Sequence, residues 1–171
     1  LSLFTVIKYL LIFAVIQTTS LNAAEISFRS MQVAYIQKFT AYIEWGQRAD
    51  DAFEIAVIDD NDTFKEMETA FKGKLVENRK VIVLDEAKLT KTCEIIYIPK
   101  ITKSIMDRLK ETCSEKALII SQDPRGLQEK IIINFFLEDD GRVRFDINNT
   151  QANLNQIKIN SRLLNLARST K

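Results

Sequence analysis

A single α/β domain, with a largely parallel Rossmann-like sheet flanked by helices, a C-terminal β-hairpin and a short terminal helix, is predicted by three observations. Short apolar runs from Phe53 to Ile58, Lys80 to Leu84, Cys93 to Ile98 and Ala117 to Ile120 alternate with segments of helical period, the order that puts crossover helices between parallel strands. Asp140-Gly141 then separates two β-rich runs, a hairpin signal. The 171 residues are 46% hydrophobic with only four Gly and two Pro, which suits one packed core and excludes a loop-rich or disordered chain.

The first element is a leader. Lys8 is followed by an unbroken apolar run from Tyr9 to Ile16, a polar stretch from Gln17 to Ser20, and Asn22-Ala23-Ala24. This is the order of a secretory signal peptide, assigned to residues 1–23 with cleavage after Ala23 or Ala24, and the domain then runs over 24–171. The run is too short for a spanning helix, although an uncleaved anchor is the alternative. Removal of Lys8 leaves 23 positive and 23 negative charges, and the mature protein is expected to be soluble in an exported compartment.

Val33, Ile36, Phe39 and Ile43 recur at three- and four-residue spacing, predicting an amphipathic helix from Ser30 to Glu44 closed by Trp45-Gly46. The strand from Phe53 to Ile58 ends in Asp59, Asp60, Asn61 and Asp62, before a helix marked by Phe64, Met67, Ala70 and Phe71. Open α/β sheets bind ligands beyond the carboxyl ends of their strands, so this acidic group is a position to test. It lacks the turn glycine and distal glutamate of a calcium loop, and capping of the following helix is the simpler role. Lys72-Gly73-Lys74 lacks the upstream glycine of a phosphate loop and reads as a surface turn.

Cys93 opens the third strand, and Cys113 closes a helix running from Thr102 with Ile105, Met106 and Leu109 on its apolar side. A helix returning antiparallel to the preceding strand brings the two cysteines to the same end of the unit, where a Cys93–Cys113 disulfide fits, stabilising by roughly 3 kcal/mol on a chain-entropy estimate. Two separate buried thiols are the alternative. No CxxC spacing or further soft ligand favours a catalytic or metal pair. Beyond the hairpin, Ile157 and Ile159 alternate around Lys158, which predicts an extended piece, and Leu163, Leu164 and Ala167 make a last helical turn or two.

The chemistry is chiefly one of exclusions. Without a single histidine the chain has no Ser-His-Asp or Cys-His nucleophile system and no HExxH metal site. A net charge of +1 offers no clustered basic excess for nucleic acid. Glu138, Asp139 and Asp140 occupy a hairpin tip, where nothing desolvates them to separate their pKa values for acid-base work. Tyr35, Tyr42 and Trp45 do not all share a face with Phe39, so some of them fall outside the core stripe, either as innocent surface aromatics or as a partner patch. In the hairpin, Arg142, Arg144 and Asp146 alternate with Val143, Phe145 and Ile147, leaving one strand face wet or paired. Binding is therefore expected rather than catalysis, with neither metal nor cofactor.

Several stretches resemble the YfiR/HmsC-like family of periplasmic repressors. These are Val33-Ala34-Tyr35-Ile36-Gln37-Lys38-Phe39 leading to Glu44-Trp45, the strand from Phe53 to Ile58, Gly73-Lys74 before Arg79 to Val83, and the strand from Cys93 to Ile98. The most specific is the tail, Gly141 to Asn148 with Ala152 and then Ile157 to Ala167. Gly46 where a proline commonly follows the Trp, Gln128-Glu129 where paired glycines are usual, and Asn160 for a usual serine depart from the pattern.

The resemblance implies a periplasmic protein that binds the periplasmic domain of an inner-membrane diguanylate cyclase and holds it inactive, lowering cyclic-di-GMP and biofilm formation. It also implies an outer-membrane lipoprotein as second partner, and a homodimer. Tyr35, Tyr42 and Trp45, with Arg144 and Asp146 pointing outward on the hairpin, are the candidate partner contacts. The alternative is a small-molecule sensor or carrier for another membrane signalling system such as a sensor kinase, which requires a ligand-sized pocket near Asp60. An unrecognised hydrolase requires acidic residues converging in a cleft.

Overall fold

A computed structural model describes residues 28–46, 51–113, 116–128 and 130–171; the predicted leader and its cleavage position lie outside them. Helix α1 (28–39) is followed by β1 (Ile43–Glu44), β2 (Ala52–Val57), α2 (Asn61–Phe71), β3 (Leu75–Val76), β4 (Arg79–Asp85), β5 (Ile95–Ile98) and α3 (Lys103–Thr112). Then come β6 (Leu118–Ser121), β7 (Ile133–Leu137), β8 (Val143–Ile147), α4 (Asn149–Leu154), β9 (Lys158–Ile159) and α5 (Ser161–Leu164). Seven strands form one sheet in the order β3-β4-β2-β5-β6-β7-β8, and β1 pairs separately with β9. The five inner strands are parallel, while β3 and β8 run antiparallel at the two edges. The predicted fold class is the observed one.

The apolar runs become inner strands because both of their faces are covered. Phe53, Ile55 and Val57 of β2 with Ile95 and Tyr97 of β5 point to one face, where they meet Val33, Ile36 and Phe39 of α1 and Met67 and Phe71 of α2. Ala56, Ile96 and Ile98 point to the other, against Leu109 of α3 and Ile131. Each such side chain contributes about 1.5–3 kcal/mol on burial. Local chemistry sets the helix starts. Asp60 caps α2, accepting from Thr63 N at 2.9 Å and Thr63 Oγ1 at 2.6 Å, so the acidic group serves as a cap as expected. Thr102 caps α3 in the same way.

Three expectations change. The first helix ends at residue 39, not at Glu44: Ala41 N and Tyr42 N bond back to Lys38 O and Phe39 O, and Ile43–Glu44 is recruited into a strand opposite Ile159 and Lys158. That pairing, more than a hundred residues away in sequence, overrides local helical period. The second is a tight hairpin between β3 and β4, turning through Glu77 and Asn78 at φ of 48° and 63°. Non-glycine residues at both positive-φ positions hide the usual turn signature. The third is α4, where Asn148 caps a short helix by accepting from Gln151 N at 2.9 Å.

Both sheet edges matter below. Past β8 the chain returns and adds itself to the sheet: Arg168 N donates to Phe145 O, Ile147 N to Ser169 O, and Lys171 N to Ile147 O. At the opposite edge β3 covers only the start of β4.

Candidate partner-binding groove

The strand order reverses direction at β2, which has β4 on one side and β5 on the other, and a sheet of this kind ordinarily takes its ligand beyond the carboxyl ends of those strands. Here the chain's own side chains fill the crevice. Tyr97 Oη donates to Gln32 Oε1 at 3.3 Å, and Gln32 Nε2 to Gln122 Oε1 at 2.8 Å, with Tyr97 and Gln32 both buried. Burial pushes the Tyr97 hydroxyl well above its ordinary pKa, and the nearby Asp60 carboxylate pushes it further. What stays open beside Asp59, Asp60, Asp85 and Glu86 is a cleft of about 260 Å³, below the roughly 300–1,000 Å³ of small-molecule sites.

A larger concavity lies between α1 and the hairpin. Phe28, Met31 and Tyr35 form one wall, Leu137 and Val143 the other, and Gly141, Arg142 and Arg144 the rim, enclosing about 560 Å³. Its floor is rigid: Tyr35 stacks on Phe39 at 6.0 Å and meets the edge of Phe145 at 5.6 Å, while Phe39 stacks on Phe135 at 5.8 Å. Its walls are adaptable and apolar, with Met31 45% and Leu137 49% exposed. Gly141, at φ of 79°, closes the loop of Asp139, Asp140 and Gly141 that aims the rim. Arg142 Nε donates to Asp140 Oδ2 at 2.6 Å and holds that carboxyl below its usual pKa, and Arg144 Nε donates to Glu138 Oε2 at 3.3 Å. An apolar cradle inside a fixed polar rim is the form of a protein-binding surface.

Of the five predicted contacts, the structure brings Tyr35 and Arg144 together on this groove. Tyr42 is half-buried at the β1 turn, where its carbonyl accepts from Asn160 N. Trp45 is buried, set edge-on to Phe53 at 4.9 Å with Nε1 donating to Thr40 O at 3.0 Å, so its ring belongs to the core. Asp146 is also buried, which corrects the expectation that it points outward: the returning C-terminal segment covers that strand face, and Arg168 and Ser169 close on the carboxylate.

Cys93 and Cys113 join the same apolar cluster under α3, as free thiols close enough to interact electrostatically. Burial raises both, Cys113 to about 12, so neither is a nucleophile at neutral pH.

The sequence reading missed the polar core. Glu94, read within an apolar run, is buried and accepts from Arg79 Nη1 and from Glu54 N at 2.7 Å. A carboxylate entering a buried strand must find a cation, and that requirement is the signal that would have found Arg79. Likewise Asp123 is buried and held by Arg125, whose guanidinium keeps it below the carboxylate range.

No curated protein matches the chain. A family model described as YfiR/HmsC-like matches residues 29–168, which takes in the hairpin and, apart from Phe28, α1 and the groove between them.

Proposed function

The chain belongs to the YfiR/HmsC-like family, and on that premise we propose that it is a periplasmic regulator that binds the periplasmic domain of an inner-membrane diguanylate cyclase and holds it inactive. The observation that supports this reading is the groove between α1 and the hairpin, with Met31 and Leu137 exposed over a rigid aromatic floor. Exposed apolar residues gathered over a packed base form an anchor site for a protein partner. Regulation follows by population shift. The protein must bind the inactive receptor conformation more tightly, and each 1.4 kcal/mol of preference biases the receptor about tenfold.

The finer features belong to the same proposal: export by a signal peptide at residues 1–23, a homodimer, a Cys93–Cys113 disulfide formed after export, and release of the cyclase when an outer-membrane lipoprotein sequesters the repressor. The filled crevice at Tyr97 and the small cleft at Asp60 weigh against the small-molecule carrier. Cyclic-di-GMP measured after deletion and restoration of the gene tests the reading. The level should rise on deletion and fall again with the exported protein but not with a leaderless one. An unchanged level in a strain that expresses both the protein and its cyclase would refute it.

A further inference from the structure

The two edges of the main sheet are treated differently. At one, the C-terminal segment pairs with β8 through Phe145 and Ile147. At the other, β3 occupies the lane beside β4 only as far as Val81, whose N–H bonds Lys74 O at 3.2 Å. Backbone groups alternate sides along a strand, so Val83 and Asp85 present their N–H and C=O outward beyond that point, and among the described residues nothing pairs with them. Beside this open edge, α2 and β4 enclose a groove of about 630 Å³ with Phe71, Val81 and Val83 on its walls. Ile82 and Leu75, 40% and 64% exposed, flank it. Lys72, Lys74 and Lys80 are all exposed at the end nearer β3, and among the described residues Glu68 is the one acid on the groove wall.

We propose that the β4 edge is a second docking surface, which takes an extended segment of a protein partner as an added strand. The segment lies in line with β3, antiparallel to β4, and exchanges backbone hydrogen bonds with Val83 and Asp85. Its alternate apolar side chains enter the groove, and its carboxyl end, which reaches the lysines, is acidic. The surface is separate from the groove at Tyr35 and stands whether or not the cyclase is the receptor.

The test is selection of nine-residue segments from a display library with apolar residues fixed at alternate positions, followed by amide hydrogen exchange of the full exported protein with the winning peptide. Segments with Asp or Glu at the carboxyl end should be enriched, and the Val83 and Asp85 amides should gain protection. Val83→Pro removes an outward donor at a position where an edge strand tolerates proline, and should weaken binding at least tenfold. Ile82→Lys, an exposed substitution, gives a second variant that should do the same. No enrichment, or binding unchanged in both variants, overturns the proposal. So does protection of the same amides without peptide in a dimer that Ile82→Lys dissociates, because the occupant is then a second copy.

Discussion

Arg168 Nη2 donates to Asp146 Oδ2 at 2.6 Å, fixing the end of the chain onto the outer strand of the sheet. The same guanidinium lies 3.7 Å from the ring centroid of Phe136, and Ser169 Oγ adds a bond of 2.9 Å to the carboxylate. Asp146→Ala leaves the strap without its anchor and should cost about 1–3 kcal/mol in urea unfolding. Arg168→Ala should cost about 1 kcal/mol, since half of that side chain is already in water. Exchange at Ile147 and Lys171 should accelerate in both. An unchanged exchange rate would show that the strap holds without the ion pair.

The buried Glu94–Arg79 pair should behave as a unit. Glu94→Ala leaves the Arg79 cation, 5.2 Å from the Phe53 ring centroid, with the Ala52 carbonyl and the more exposed Glu77 carboxylate at 3.9 Å in place of its buried partner, and should destabilise by about 3 kcal/mol. The double variant Glu94→Gln with Arg79→Met should recover a good part of that loss. Additive costs in a double-mutant cycle would mean the two side chains act separately.

Asp123 makes the acid limb of stability pH-dependent. Its folded pKa is depressed by Arg125, so its contribution is present above the unfolded value of about 3.9 and is lost as pH falls toward the folded value. The stability gap between the wild type and Asp123→Asn should therefore shrink between about pH 4 and pH 2. A gap constant over that range would remove the linkage.

The groove can be separated from the core by choice of residue. Met31→Asp and Leu137→Asp alter exposed walls and should change stability by only about 0.5 kcal/mol while abolishing repression, read as raised cyclic-di-GMP. Tyr35→Ala should lower both stability and repression, because its ring also packs on Phe39 and Phe145. Full repression by both aspartate variants would place receptor binding elsewhere.

The thiols supply a test of the proposed disulfide. In reduced protein the raised pKa values keep Cys93 and Cys113 protonated, so iodoacetamide at pH 7.5 should react slowly until the protein is unfolded. The stability that they confer should be lost as pH rises from about 8.5 towards 12. Protein recovered from the exported compartment should show no free thiol even when unfolded, and two reactive thiols there would end the disulfide.

The inner strands, an acidic cap on α2, the start of α3 at Thr102 and the Asp140-Gly141 hairpin were legible in the sequence because each rests on neighbours within a few residues: an apolar run, a side-chain oxygen three residues before an amide, a helical period, a glycine at positive φ. Of the site, Tyr35 and Arg144 were legible as unabsorbed surface chemistry, but their meeting on one groove was not.

Periodicity thus determined the inner strands, the longer helices and their apolar faces, since local backbone and solvation energies fix these. Tertiary structure alone decided that Trp45 and Asp146 are buried, that Gln32 plugs the crevice at Tyr97, that Glu94 meets Arg79, and that Ile43–Glu44 leaves the helical pattern to become a strand against β9. Each of these depends on a partner brought from far along the chain, and a polar group is stable in the interior only where the fold delivers that partner.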